Sequence, residues 1–188
     1  MKSIDIRFTD QMINSIRAMI GCKMIRYKCD PFVYSTTVFG IAGIITDKGS
    51  YAVTNTIEVL DHYGTDEDVA VFRLEERPES EIVSLVDGVT MTDIPVGRII
   101  REIRIINEHQ KLYRNEEQTY DVWLTRGIIF IMDDDLEISF EKNVWFSEMI
   151  TVDRGEKLID RYSSVNEFAD DWDAPYRGIC ERESVIIN

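Results

Sequence analysis

The sequence predicts an α+β fold: mostly antiparallel β-sheet, curved or sandwich-like, with an N-terminal helix and a short C-terminal helix packed on it. Two observations carry this expectation. Most apolar stretches alternate with polar residues at a period of two and are rich in β-branched and aromatic side chains. Residues 10–20 and 163–172 repeat their apolar positions at a helical period. The chain has 188 residues, enough to bury a core without a disulfide or metal staple, and no linker divides it. A single domain over 1–188 is expected.

Taken in order, the helix at 10–20 places Met12, Ile13, Ile16, Met19 and Ile20 on one face. Thr9 or Asp10 can cap its first amides, and Gly21 sits where a left-handed terminus belongs. Residues 22–29 alternate and read as a strand, closed by the Asp30-Pro31 turn. Residues 33–46 and 51–60 form a hairpin, with Gly49 expected at a positive φ. "DHYGTDED", 61–68, reads as an acidic loop, 69–76 as a short strand, and 80–88 as a short helix stopped by Gly88.

Residues 96–113 fit both periods, but their isoleucine density favours a strand. Residues 120–132 form a long strand bent at Gly127. Asp133-Asp134-Asp135 then makes a turn, because Leu136, Ile138 and Phe140 alternate with Glu137, Ser139 and Glu141 directly afterwards. Residues 144–152 are a further strand. Ser164 with Glu167 matches a capping box for the second helix, and 184–188 could add an edge strand.

Charge is the strongest bulk feature. Thirty-five acids against 21 bases give −14, although residues 1–30 hold six bases and only three acids. A field of that sign repels phosphate backbones, so direct nucleic-acid binding is not expected. No apolar run reaches membrane-spanning length, so no membrane association is expected. Cys22, Cys29 and Cys180 are odd in number and lack a CxxC pair, which points to buried thiols and a cytoplasmic setting. Phosphate-binding glycine loops, a nucleophile elbow and an HExxH zinc motif are all missing, and no cofactor is implied.

The residues most suited to binding or acid–base work are Asp61, His62, Asp66, Glu67 and Asp68, with Glu58 just before them and His109 as a partner from afar. Arg98, Arg101 and Arg104 could hold an anion, but pairing with nearby acids is the simpler expectation. A groove of Trp145, Phe146 and Trp172 would suit a ligand. The leading functional expectation is a non-enzymatic binding protein engaging a basic protein partner, of inhibitor, immunity or nucleic-acid-mimic type. The main rival is a divalent-cation-dependent hydrolase or small-ligand enzyme built on the 58–68 acids and histidine. A third reading is a subunit that oligomerises through strand edges.

Overall fold

A computed structural model of the chain describes residues 3–143 and 147–188, and His62 by its backbone alone. Among the described residues, eleven strands form one curved, unclosed sheet, mostly antiparallel, with two short α-helices. This is the α+β architecture expected from the periodicities. Among the described residues, no helix is long and apolar enough to cross a membrane, which says nothing about strands.

Strand β1 (Ile4–Ile6) leads to helix α1 (Asp10–Ala18). Thr9 caps α1 by accepting a bond from the Met12 amide at 3.4 Å, and Gly21 takes φ 76° as it leaves. Ile16 and Met19 are fully buried, with Met12, Ile13 and Ile20 packed beside them, as the helical spacing requires.

Strands β2 (Lys23–Cys29), β3 (Thr37–Phe39), β4 (Ile41–Thr46), β5 (Ser50–His62) and β6 (Thr65–Glu76) follow. The single strand expected over 33–46 is two, broken at Gly40, whose φ of 68° turns the chain between ladders. Gly49 does not adopt the positive φ expected of it; Thr46 Oγ1 closes that turn by accepting from the Lys48 and Gly49 amides. The short helix expected over 80–88 is also absent. A single 3₁₀ turn at Glu79–Glu81 delivers Ile82 into a small core with Ile41, Ile45 and Ala52, and the chain runs on without helix to 91.

Strand β7 (Thr92–Arg114) is 23 residues long, which settles 96–113 as strand. It turns at Asn115-Glu116, both at positive φ, into β8 (Glu117–Met132). The first part of β7 pairs with β2, and 100–114 pairs with β8. Strand β11 (Tyr176–Ile187) covers 103–114 from the other edge. The 184–188 edge strand is therefore the end of a longer element. Strands β9 (Glu137–Lys142) and β10 (Met149–Gly155) complete the sheet beyond β8.

The sheet wraps one main core containing Ile44, Phe72, Ile100, Ile103, Phe130, Met132, Ile138 and Phe140. Phe8 stacks on Phe72 at 5.7 Å, tying the N-terminal segment to β6. The ladder stops at β3, which pairs with β10, while the chain itself continues into β4 at the far side of the sheet. Asn55, fully buried, bridges this seam by donating to Ser147 and Met149 carbonyls at 2.8 and 3.0 Å.

The triple-aspartate turn between β8 and β9 is as expected, with Asp135 at φ 65°. Its acids are not simply turned to water. Asp134 pairs with Arg98 at 2.6 Å, Asp135 with Arg101 at 2.7 Å, and Asp133 accepts from the Ile99 amide. Two of the three repeated arginines thus neutralise this turn, and Arg104 pairs with Glu102. The second helix, α2, is shorter than expected at Asn166–Asp170. Its capping box does not form: Ser164 Oγ accepts from the Asn166 amide, and Val165 occupies the cap position.

Candidate functional site

The 61–68 stretch is not a loop. It is the tip of the β5–β6 hairpin, whose only turn residues are Tyr63 and Gly64 at φ 57° and 89°. Strand periodicity was hidden because the exposed tip needs no apolar alternation. Asp61 Oδ1 accepts from the Gly64 amide at 2.7 Å and holds the turn shut.

Residues facing each other across an antiparallel ladder share a face. Asp61 lies opposite Asp66, and Val59 opposite Asp68. One face of the tip therefore carries Asp61, Asp66, Asp68 and Val59, continued by Ile57. Val59 is 66% exposed and Ile57 41%. The other face carries Leu60 opposite Glu67, and Leu60 packs against the apolar cluster that contains Val69, Val71, Tyr120 and Val122. Glu58 is engaged by Arg73 in a two-point pair at 3.0 and 2.9 Å. Among the described residues, no ion pair involves Asp61, Asp66, Glu67 or Asp68. His62 ends β5 opposite Thr65, and its side chain lies outside the described part of the structure.

Tyr63 fastens the tip. Its hydroxyl accepts from the Asp121 amide at 2.6 Å and donates to the Asp121 carbonyl at 2.9 Å. This caps the edge of β8 just before β1 takes over at Val122. From Tyr63 an aromatic series crosses to the C-terminal segment: Tyr120 at 6.3 Å, then Phe168, Trp172 and Tyr176 at 6.2, 6.1 and 6.0 Å steps. Trp172 and Tyr176 are partly exposed beside the acids of α2 and its exit, Glu167, Asp170, Asp171 and Asp173. Trp145 and Phe146, expected to flank Trp172, lie outside the described residues.

His109 does not join the acids of the tip. It pairs with Trp123 across the β7–β8 ladder, on the face opposite Gln110, Leu112 and Tyr120. Its ring stacks on Trp123 at 4.0 Å, and Nε2 meets Asp121 Oδ1 at 2.8 Å. Burial alone would raise the Asp121 carboxyl, but bonds from His109, Ser3 and Gln118 outweigh it and hold the group below its ordinary range. Among the described residues, no three His, Cys, Asp or Glu side chains converge to hold a metal ion.

The sequence reading missed a second constellation, beneath α2. Glu108 and Gln110 of β7, Arg126 of β8, Glu141 and Lys142 of β9, and Arg182 of β11 are charged or polar groups inside the fold. Arg126 Nε and Nη2 reach Glu141 Oε1 at 3.1 and 3.0 Å, with both side chains at most 10% exposed. Glu108 Oε1 accepts from Arg182 Nε and Nη2 at 3.1 and 2.6 Å. Burial raises the Glu141 carboxyl despite Arg126, and burial with Arg126 nearby lowers the Lys142 amine to about 7. Burial and then Glu108 push the Cys180 thiol up to about 12, so it stays protonated and unreactive. Cys22 and Cys29 are fully buried, as expected of structural thiols.

No protein-family model matches the chain, and searches of curated proteins and solved structures gave no match.

Proposed function

We propose that the protein is a non-enzymatic binding protein that engages a basic protein partner through the exposed face of the β5–β6 hairpin tip. The observation that carries this reading is the Asp61–Asp66 pair. Two carboxylates directly opposite on a ladder repel, at a cost of a few tenths to about 1 kcal/mol. Asp68 extends the same field, and no cation among the described residues offsets it. Asp61 also closes the turn by accepting from the Gly64 amide, which a neutral side-chain amide would do as well; the facing charges themselves gain the fold nothing, and a cationic partner would gain from them.

The surroundings fit such a role. The tip is held against β8 by Tyr63 and Leu60, so its outer face is presented without large ordering cost. Val59 and Ile57 supply apolar area within the charged field, the combination that gives contact as well as steering. The partly exposed Trp172 offers an aromatic face to arginine or lysine further along. The overall −14 charge adds long-range attraction for a basic partner.

The test is affinity capture with two baits: the natural chain and the Asp61→Asn/Asp66→Asn/Asp68→Asn variant. The reading expects a discrete basic protein on the first bait only, released as salt is raised. Identical recovery on both baits would overturn it.

A further inference from the structure

Strand β11 pairs with β7 along one edge, and among the described residues no strand pairs with its other edge. Alternate residues of an antiparallel strand direct both N–H and C=O to the same side, so the open edge presents a row of donors and acceptors. Outside the ladder with β7, the one backbone bond made by β11 among the described residues runs from the Tyr176 amide to the Asp173 carbonyl. Strand β6, another long strand at the margin of the sheet, buries 69–72. Strand β11 instead leaves 183–186 exposed, Val185 by 40% and Ile186 by 56%. Charges, prolines and bulges are the usual protection of an open edge. Ser184-Val185-Ile186-Ile187 holds no charge and no proline, and its register with β7 is regular.

The two faces of this edge differ. Glu183 and Val185 line an open groove of about 500 Å³, which the start of α1 also lines. Ile13 and Ile105 add to its apolar lining. Its acids, Asp5, Asp10 and Glu183, stand against one guanidinium, Arg7. Arg7 is already paired, with Asp5 at 2.6 Å and Glu183 at 3.6 Å, and Asp10 has no ion pair among the described residues. The groove is therefore anionic. Ser184 and Ile186, at the intervening positions, give the opposite face no charge. A strand added at this edge would set its side chains alternately on the two faces. On the groove face, a long basic side chain can lay its methylenes on Ile13, Ile105 and Val185 and its charge among the acids. On the other face, an apolar side chain meets Ile186. A second copy of β11, paired antiparallel, would instead bring Glu181 and Glu183 to the groove face, with a further net charge of −14 behind them.

We propose that the open edge of β11 at 183–187 binds an extended segment of a protein partner, in which lysine or arginine alternates with apolar residues, and adds it to the sheet as a further strand. Backbone bonds hold the segment, and the acids of the groove select its basic side chains. The surface is separate from the hairpin tip, and the proposal does not rest on the reading of the tip.

The probe is the peptide acetyl-Lys-Val-Lys-Val-Lys-amide, titrated into the full chain and followed by backbone amide resonances. The proposal expects saturable shifts centred on 183–187 and slower hydrogen exchange at alternate amides of β11. The surface variant Val185→Lys, which places a charge on the edge, should weaken binding about tenfold. N-methylation of the peptide separates backbone pairing from charge. Methylating the set that faces β11, either the lysines or the valines, should abolish binding, and methylating the other set should not, although both peptides carry the same charge. Absence of binding, shifts confined to the hairpin tip, or equal binding of acetyl-Glu-Val-Glu-Val-Glu-amide or of both methylated peptides would overturn the proposal. So would a dimer of the natural chain in analytical ultracentrifugation that Val185→Lys dissociates, because a second copy would then occupy the edge.

Discussion

The hairpin tip and the cluster beneath α2 treat charge in opposite ways. At the tip, Asp61, Asp66, Glu67 and Asp68 are exposed and without ion pairs among the described residues, with two of them set face to face. Beneath α2, Glu108 and Glu141 are buried and each is matched to an arginine. Glu108 and Glu141 have their cations where desolvation makes an unpaired charge ruinous; exposed acids are paired at the triple-aspartate turn but left unmatched at the hairpin tip, where water screens them. Charges placed for stability and charges free for a partner are thus separated in space. Substitutions should break the two regions in different ways.

The largest effect belongs to the buried pair. Arg126→Leu strands Glu141 and should cost about 3–5 kcal/mol in urea denaturation. Arg126→Met/Glu141→Leu, which removes both charges, should cost much less. If the double variant is as unstable as the single one, the pair matters for shape and not for charge.

Next comes Lys142. Its amine holds a proton up to its ordinary 10.5 in the unfolded chain but only to about 7 in the fold. Between those values the unfolded state binds the extra proton, so stability should rise as pH climbs from about 7 to 10.5, with the full cost present below 7. Lys142→Met should remove that rise and gain on the order of 3 kcal/mol near pH 6. An unchanged pH profile would show that the amine is not desolvated.

A smaller effect is expected at the joint between the regions. Tyr63→Phe removes both bonds to the Asp121 backbone and should cost about 1 kcal/mol. It should speed hydrogen exchange of the hairpin-tip amides while leaving β7 unaffected.

The two regions also differ in how far the sequence announced them. The helix at 10–20, the hairpin strands and the triple-aspartate turn were readable because their patterns are local: a period of 3.6 or 2, and turn residues between. The acidity of the tip was equally plain, though its strands were not. The buried cluster left no such trace. Arg126 meets Glu141 at 15 residues' separation and Arg182 meets Glu108 at 74, so burial of each depends on a partner that only the fold supplies. In the sequence they are four ordinary charged residues among the 56 of their kind. The same non-locality separated His109 from the acids: odd and even positions of β7 point to opposite faces, and His109 took the one away from the tip. In place of the helix expected at 80–88, Ile82 alone enters the small core, and Val83, Leu85 and Val86 stay exposed.

The smallest expected effect tests the central claim most directly. Asp61→Asn/Asp66→Asn keeps the acceptor on Gly64 and removes the facing charges. If the acids are there for a partner, urea denaturation will show unchanged stability or a gain of up to about 1 kcal/mol, relieved by neutralising the pair. A loss of 1 kcal/mol or more would mean that the charges hold the fold together, and would contradict the account.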